Sequence, residues 1–309
     1  MFLKLRKKIE ANRNSQSIFW RTLVLAKDFT WNLSRLVLDF FYFPRKWIFS
    51  FFKSRIDKQY FGNVKTYCMF IGYSRSGHSI IGSILDAHLN IVIGHELDAL
   101  KFVGKGFSKN QIFSLLLDSS KQFTKNKRIW EGYSYLVPNQ WHSTFDQLLV
   151  IGDKKGQSTV RRLKQDFKTF DKLQAKLKNI DIKFIHVYRN PYDNIATISR
   201  KRDDSLPEAI GYYFSLVEVM LNIKRQVPRR QILDLKQESF IADPKKAIGQ
   251  ICEFLGVEAT PAYLEAAAKI VWQRPHQSRY NINWTSESVR EVRDRISEVD
   301  FLKDYSYDQ

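Results

Sequence analysis

From Thr66 to Gly72 the chain reads TYCMFIG, a short apolar run closed by glycine and without polar alternation, which predicts a strand buried on both faces. The spacing then changes. Between Ser79 and His88 the apolar residues Ile80, Ile81, Ile84 and Leu85 recur at helical intervals on one side. Three more apolar runs, Leu148 to Gly152, Lys183 to Tyr188 and Gln231 to Leu235, read as strands, and the intervals between them are long enough for crossover helices. Pro207 to Arg225 and Pro244 to Leu255 read as helices, the second opening after Asp243-Pro244. This alternation predicts an α/β domain, a parallel sheet with helices on both faces.

Ahead of that domain the pattern differs. From Ile18 to Phe52 the chain is rich in Phe, Trp and Leu, but Arg21, Lys27, Asp28, Arg35, Asp39, Arg45 and Lys46 interrupt every stretch long enough to span a bilayer. Lys4, Arg6, Lys7 and Lys8 are followed by polar sequence, unlike a cleaved signal. We therefore expect an aromatic-rich helical arm over residues 1–63 and a catalytic domain over 64–309. The apolar face of such an arm suits a membrane surface, the domain itself or a second copy in a homodimer, and periodicity leaves the three open.

Composition narrows the partners. At 309 residues and 44% hydrophobic content the chain is globular, and a formal charge of +18 calls for an anionic partner. Cys68 and Cys252 each sit inside an apolar run, which suits small buried hydrophobes in a reducing, cytoplasmic setting. The basic residues between Arg161 and Lys178 follow helical spacing and read as a solvated face. Without zinc spacing or a recognition helix they give no case for nucleic acid.

The first strand runs into Gly72-Tyr73-Ser74-Arg75-Ser76-Gly77-His78-Ser79, the spacing of a phosphate loop. A glycine-rich turn before a helix aims several backbone N–H groups at one anion. A nucleoside-triphosphate loop needs Lys directly after its second Gly, yet His78 stands there and Arg75 is the loop's only cation. That departure argues against a kinase or ATPase, the alternative reading. A sulfuryl group carries less charge than a phosphoryl group, so protein cations suffice without a metal.

YSRSGHSIIGSILDAH resembles the 5′-phosphosulfate loop of sulfotransferases, in the Arg-Ser-Gly form of protein-tyrosine and many bacterial members. His78 replaces the usual Thr and leaves Ser79 as the hydroxyl. FIHVYRNPYDNIATISRK is similar to the superfamily's 3′-phosphate motif, with Arg189 at a strand end and Thr197, in place of Ser, on the next helix. QESFIADPKKAIGQICEFLGV looks like its late scaffold segment, and RPHQSRYNINW like the loop that closes over the nucleotide, which gives Ser278 and Arg279 a place at its phosphates. The resemblance spans Thr66 to Tyr307. It implies the P-loop-type fold and 3′-phosphoadenosine-5′-phosphosulfate (PAPS) as donor, with adenosine 3′,5′-bisphosphate (PAP) as product and no metal. The donor would be bound by Ser74, Arg75, Ser76, Gly77, His78, Ser79, Arg189, Thr197, Ser278 and Arg279.

An attacking hydroxyl needs a base at the loop's mouth. Gly94-His95-Glu96 stands where protein-tyrosine sulfotransferases resemble this chain and carry their catalytic Glu, which nominates Glu96 first and His95 second, with Arg75 keeping the carboxylate ionised. Lys154, in IGDKKG at a strand end, matches a family Lys that neutralises the transferring group, and Lys155 is its alternate. His142 and His186 read as core residues. The acceptor stays open among tyrosine, glycan, lipid headgroup and small alcohol, with a hydroxyl ahead of an amine.

Overall fold

The computed structural model describes residues 39–308. Its center is a five-stranded parallel sheet in the order β2-β5-β1-β6-β7, with β1 Thr66–Gly72, β2 Ile91–His95, β5 Val150–Lys154, β6 Asp181–Tyr188 and β7 Ile232–Lys236. Every residue of β1 is buried, so both faces of the middle strand are covered, as the unbroken apolar run required. Fully buried side chains such as Phe70 and Ile71 each contribute roughly 1.5–3 kcal/mol over an exposed position.

The expected elements appear with small shifts. The loop helix runs His78–Asp86, β5 begins at Val150 rather than Leu148, and the late helices are Leu206–Gln226 and Pro244–Leu255. The ends have local causes. Ser205 and Glu208 form a reciprocal capping box, the Asp243 side chain accepts from the amide of Lys246, and Gly256 closes its helix in the left-handed conformation. Cys68 and Cys252 are free and buried.

Three strands were not anticipated. β2 is a five-residue edge strand containing Gly94, too short to show a period. β3 (Ile129–Trp130) and β4 (Tyr133–Ser134) form a separate antiparallel hairpin. Its two-residue turn, Glu131-Gly132, has positive φ at both positions (50° and 82°), the conformation whose twist suits a tight hairpin.

Chain contacts divide the protein into one unit ending at Phe52 and another from Lys53, upstream of the Asn63 boundary expected from composition. Residues 39–57 are helical. Within the first unit Phe40, Phe41, Ile48, Phe49 and Phe52 are exposed, while Phe43 and Ser50 are buried. Among the described residues no helix is long and apolar enough to cross a membrane. The part of the expected arm before residue 39 lies outside the described residues.

Candidate active site

β1 delivers the phosphate loop at the carboxyl end of the sheet, between β5 on one side and β6 on the other, the place where open α/β sheets bind ligands. Gly77, with φ 96°, is the N-cap of the loop helix, and no side chain caps that end, so its first amides are left for an anion. A Cβ there would meet Gln237 Nε2 at 3.0 Å in a conformation L side chains resist. The loop is pinned from outside: Asn194 Nδ2 donates to Ser76 Oγ (2.9 Å) and to the carbonyl of Ser74 (3.1 Å).

His78 has a structural place. Burial lowers its imidazole to about 4, so the ring is neutral, and its Nε2 lies 3.2 Å from the carbonyl of Ile71, to which it donates. A Cβ on Gly156 would come within 2.7 Å of that ring, so Gly156 makes the room that a His in place of a smaller hydroxyl residue demands.

Beside the loop, Lys154 at the end of β5 donates to Ser79 Oγ (3.0 Å) and to Glu96, and Lys155 grips the other Glu96 oxygen. Burial alone would raise the Glu96 carboxyl, but the charges and hydrogen bonds of Lys154 and Lys155 outweigh it and hold the group at about 2. The cations that keep Glu96 ionised are thus these lysines. Arg75 turns instead to Glu131 on the hairpin.

Glu96 sits in a left-handed turn, with φ 59° there and 65° at Asp98. Asp153, buried on β5, accepts from the amides of Leu97 (3.2 Å) and Ala99 (2.7 Å), and Arg162 pairs with Asp98. Burial raises Asp153 to about 7. Next to Lys154 on the same strand, Asp153 fixes the turn that carries Glu96.

Across the sheet, Arg189 at the end of β6 donates through Nη2 to Thr197 Oγ1 (2.8 Å) and to the carbonyl of Asp193 (2.7 Å), both on the helix Pro191–Arg202. The Asp193 carboxylate takes the backbone amide and the guanidinium of Arg279. Arg189 Nε and Arg279 Nε and Nη2 are buried without a hydrogen-bond partner. A desolvated guanidinium with idle donors is costly unless an anion completes it.

The two cradles open into the same cavity of about 740 Å³, lined by Arg75, Ser79, Glu96 and Lys154 at one end and Arg189, Thr197 and Ser278 at the other. Ser74, Gly77 and His78 line it as well. Ser76, His95 and Arg279 do not: Ser76 is consumed by Asn194, and Arg279 stands behind Asp193. His95 is stacked on Phe123 at 3.6 Å, and burial lowers it to about 3, so it is an uncharged ring outside the cavity wall. His142 is held by the backbone of Val137, and His186 by Asp234.

Sequence reasoning missed Asp153, Asp193, Asn194 and the hairpin that supplies Trp130, Glu131, Tyr133 and Tyr135 to the cavity wall. Asp193 carried a signal, since 193 and 197 share one helix face at four-residue spacing. The Glu131-Gly132 pair between Trp130 and Tyr133 was the hairpin's.

The profile of the sulfotransferase family matches residues 69–261, which takes in the loop, Glu96, Lys154, Arg189 and Thr197. The chain belongs to the sulfotransferase family. This sulfotransferase is similar in structure to the sulfotransferase domain of the Synechococcus PCC 7002 olefin synthase, at 23% identity over 66% of this chain and 78% of that one, with a TM-score of 0.43. It is also similar to the sulfotransferase domain of the curacin biosynthetic pathway (14% identity, 76% and 99% covered, TM-score 0.46). A third likeness is to sulfotransferase STF1 of Mycobacterium tuberculosis H37Rv (12%, 84% and 85%, 0.45). No curated protein matches it. As a family member it is a transferase of sulfuryl groups.

Proposed function

We propose that this sulfotransferase takes its sulfuryl group from PAPS, and that Glu96 deprotonates an acceptor hydroxyl for in-line attack. The supporting observation is the pair of anion cradles opening into one cavity, with unpartnered buried donors on Arg189 and Arg279 behind the second. PAPS supplies an activated sulfuryl group and a leaving phosphate. The chain's residues divide the remaining work. The open amides after Gly77, with Ser79, hold the 5′ end, while Arg189, Thr197 and Ser278 hold the 3′-phosphate and Arg279 acts through Asp193. Lys154 and Arg75 balance charge on the oxygens being released.

A carboxylate at about 2 is too weak a base while both lysines grip it. An arriving anion draws Lys154 and Lys155 off Glu96, so its basicity rises only when the donor is seated. Calorimetry tests the donor: PAP should bind more tightly than magnesium-ATP, and the reverse order would overturn the assignment.

We also assign the exposed face of Phe41, Ile48 and Phe52 to an anionic lipid surface, with Arg45 and Lys46 at the headgroups. Cosedimentation with phosphatidylserine vesicles should fall on Phe41→Ser/Phe52→Ser substitution. Equal pelleting of both proteins would sink this reading.

A further inference from the structure

The cavity's charge bears on the acceptor, given the donor reading above. Six Arg and Lys side chains line it against two carboxylates, Glu96 and Glu131. A 3′-phosphate and a phosphosulfate together bring about four negative charges at neutral pH, enough to use up that excess. A further anionic group would then meet Glu96 and Glu131 with no free cation between, an arrangement that disfavours binding. A wholly apolar acceptor fares little better, because it would strip water from the same two carboxylates.

The wall beside them is aromatic. Trp130 and Tyr133 flank the Glu131-Gly132 turn, 41% and 47% exposed, and both line the cavity. Tyr133 reaches Trp272 across the opening, ring centroids 5.5 Å apart. The negative face of such a ring attracts the slightly positive C–H face of a saturated ring. Carboxylates are strong acceptors for hydroxyl groups. Flat aromatic faces beside two carboxylates match a ring that is apolar on its faces and hydroxylated round its edge.

We propose that the acceptor is an uncharged sugar ring, seated against Trp130 and Tyr133 with hydroxyls toward Glu96 and Glu131. One hydroxyl would lose its proton to Glu96 as its oxygen bonds to sulfur and the sulfur–oxygen bond to the leaving phosphate breaks. The products are a sugar sulfate ester and PAP.

The test uses the full chain, labelled PAPS and three probes that share an octyl tail. Octyl glucoside is the neutral ring, octyl glucuronide the same ring with a carboxylate, and 1-octanol a hydroxyl without a ring. The glucoside should exceed each of the others at least tenfold in kcat/KM. Trp130→Ala and Tyr133→Ala should raise the glucoside KM about tenfold with PAP affinity within twofold of wild type, and Trp130→Phe should restore most of the loss. Equal or better use of the glucuronide or of octanol, or no transfer to the glucoside by a protein that binds PAP, overturns the proposal alone. Failure to bind PAP overturns the donor reading and this one with it.

Discussion

On the proposed reading the cavity's two ends solve the same problem, gripping an anion, and they do so with different degrees of burial. At the Arg189 end, Arg189, Asp193, Thr197 and Arg279 are all buried and bonded to one another, a cradle set before any ligand arrives. At the loop end, Glu96 and Glu131 are part-exposed and pair with Lys154, Lys155 and Arg75. In the proposed mechanism the first end supplies fixed geometry, and the second exchanges partners at the moment of reaction.

Substitutions can break this contrast. Glu96→Gln should lower kcat by roughly 10²- to 10⁴-fold, the range of a lost general base, while PAP affinity holds or rises because Lys154 and Lys155 lose a competitor. Rapid-quench turnover and calorimetry on the same preparation read both numbers. A fall in PAP affinity matching the fall in kcat would mean that Glu96 serves only to place the lysines.

Arg189→Ala should weaken PAP binding by on the order of 10- to 100-fold, the loss of a charge-assisted hydrogen bond. It should also lower thermal stability, because Asp193 loses one of its two cations.

A smaller effect comes through pH. Asp153, raised to about 7 by burial, is near Tyr67 and Cys68 on β1, Glu96 and Asp98 on the turn, Lys154 on its own strand and Lys155 just after it. Its native pKa lies above the unfolded value, so between about pH 4 and 7 the native state holds the extra proton, and this group's contribution to stability falls as pH rises. Activity should move the other way, by several-fold, since the ionised carboxylate accepts best from the amides of Leu97 and Ala99. Asp153→Asn should flatten both slopes, and a pH profile identical to wild type would remove Asp153 from the positioning of Glu96.

Least of all, Glu131→Gln should tighten PAP binding about two- to threefold with a melting temperature close to wild type, because its ion pair with Arg75 is a third exposed on each side. Asp86 is the contrast on the same hairpin's anchor. Its pair with Arg128 is fully buried, and Asp86→Asn should cost about 3–5 kcal/mol.

Much of this was legible beforehand, and unevenly. β1 and the helix Pro244–Leu255 were found because burial on both faces and proline capping leave local marks. Arg75, Glu96, Lys154, Arg189 and Thr197, picked out at loop and strand-end positions and from the family resemblance, all line one cavity. What escaped were residues whose partners are distant in sequence. Nothing near Asp153 announces that its carboxylate caps a turn 54 to 56 positions earlier, and Asn194 reaches back 118 to 120 positions. The packing of His95 was hidden for a related reason: the ring that covers it, Phe123, comes from the helix Lys109–Lys125.

The imidazole wedged against Gly156 carries an evolutionary consequence. Trading His78 for threonine would open a hole under the loop, and trading Gly156 for alanine would drive a methyl into the ring, so neither step is neutral alone. Descendants and cousins of this chain should change the two positions in concert, a paired signature by which its own branch can be told from threonine-bearing ones.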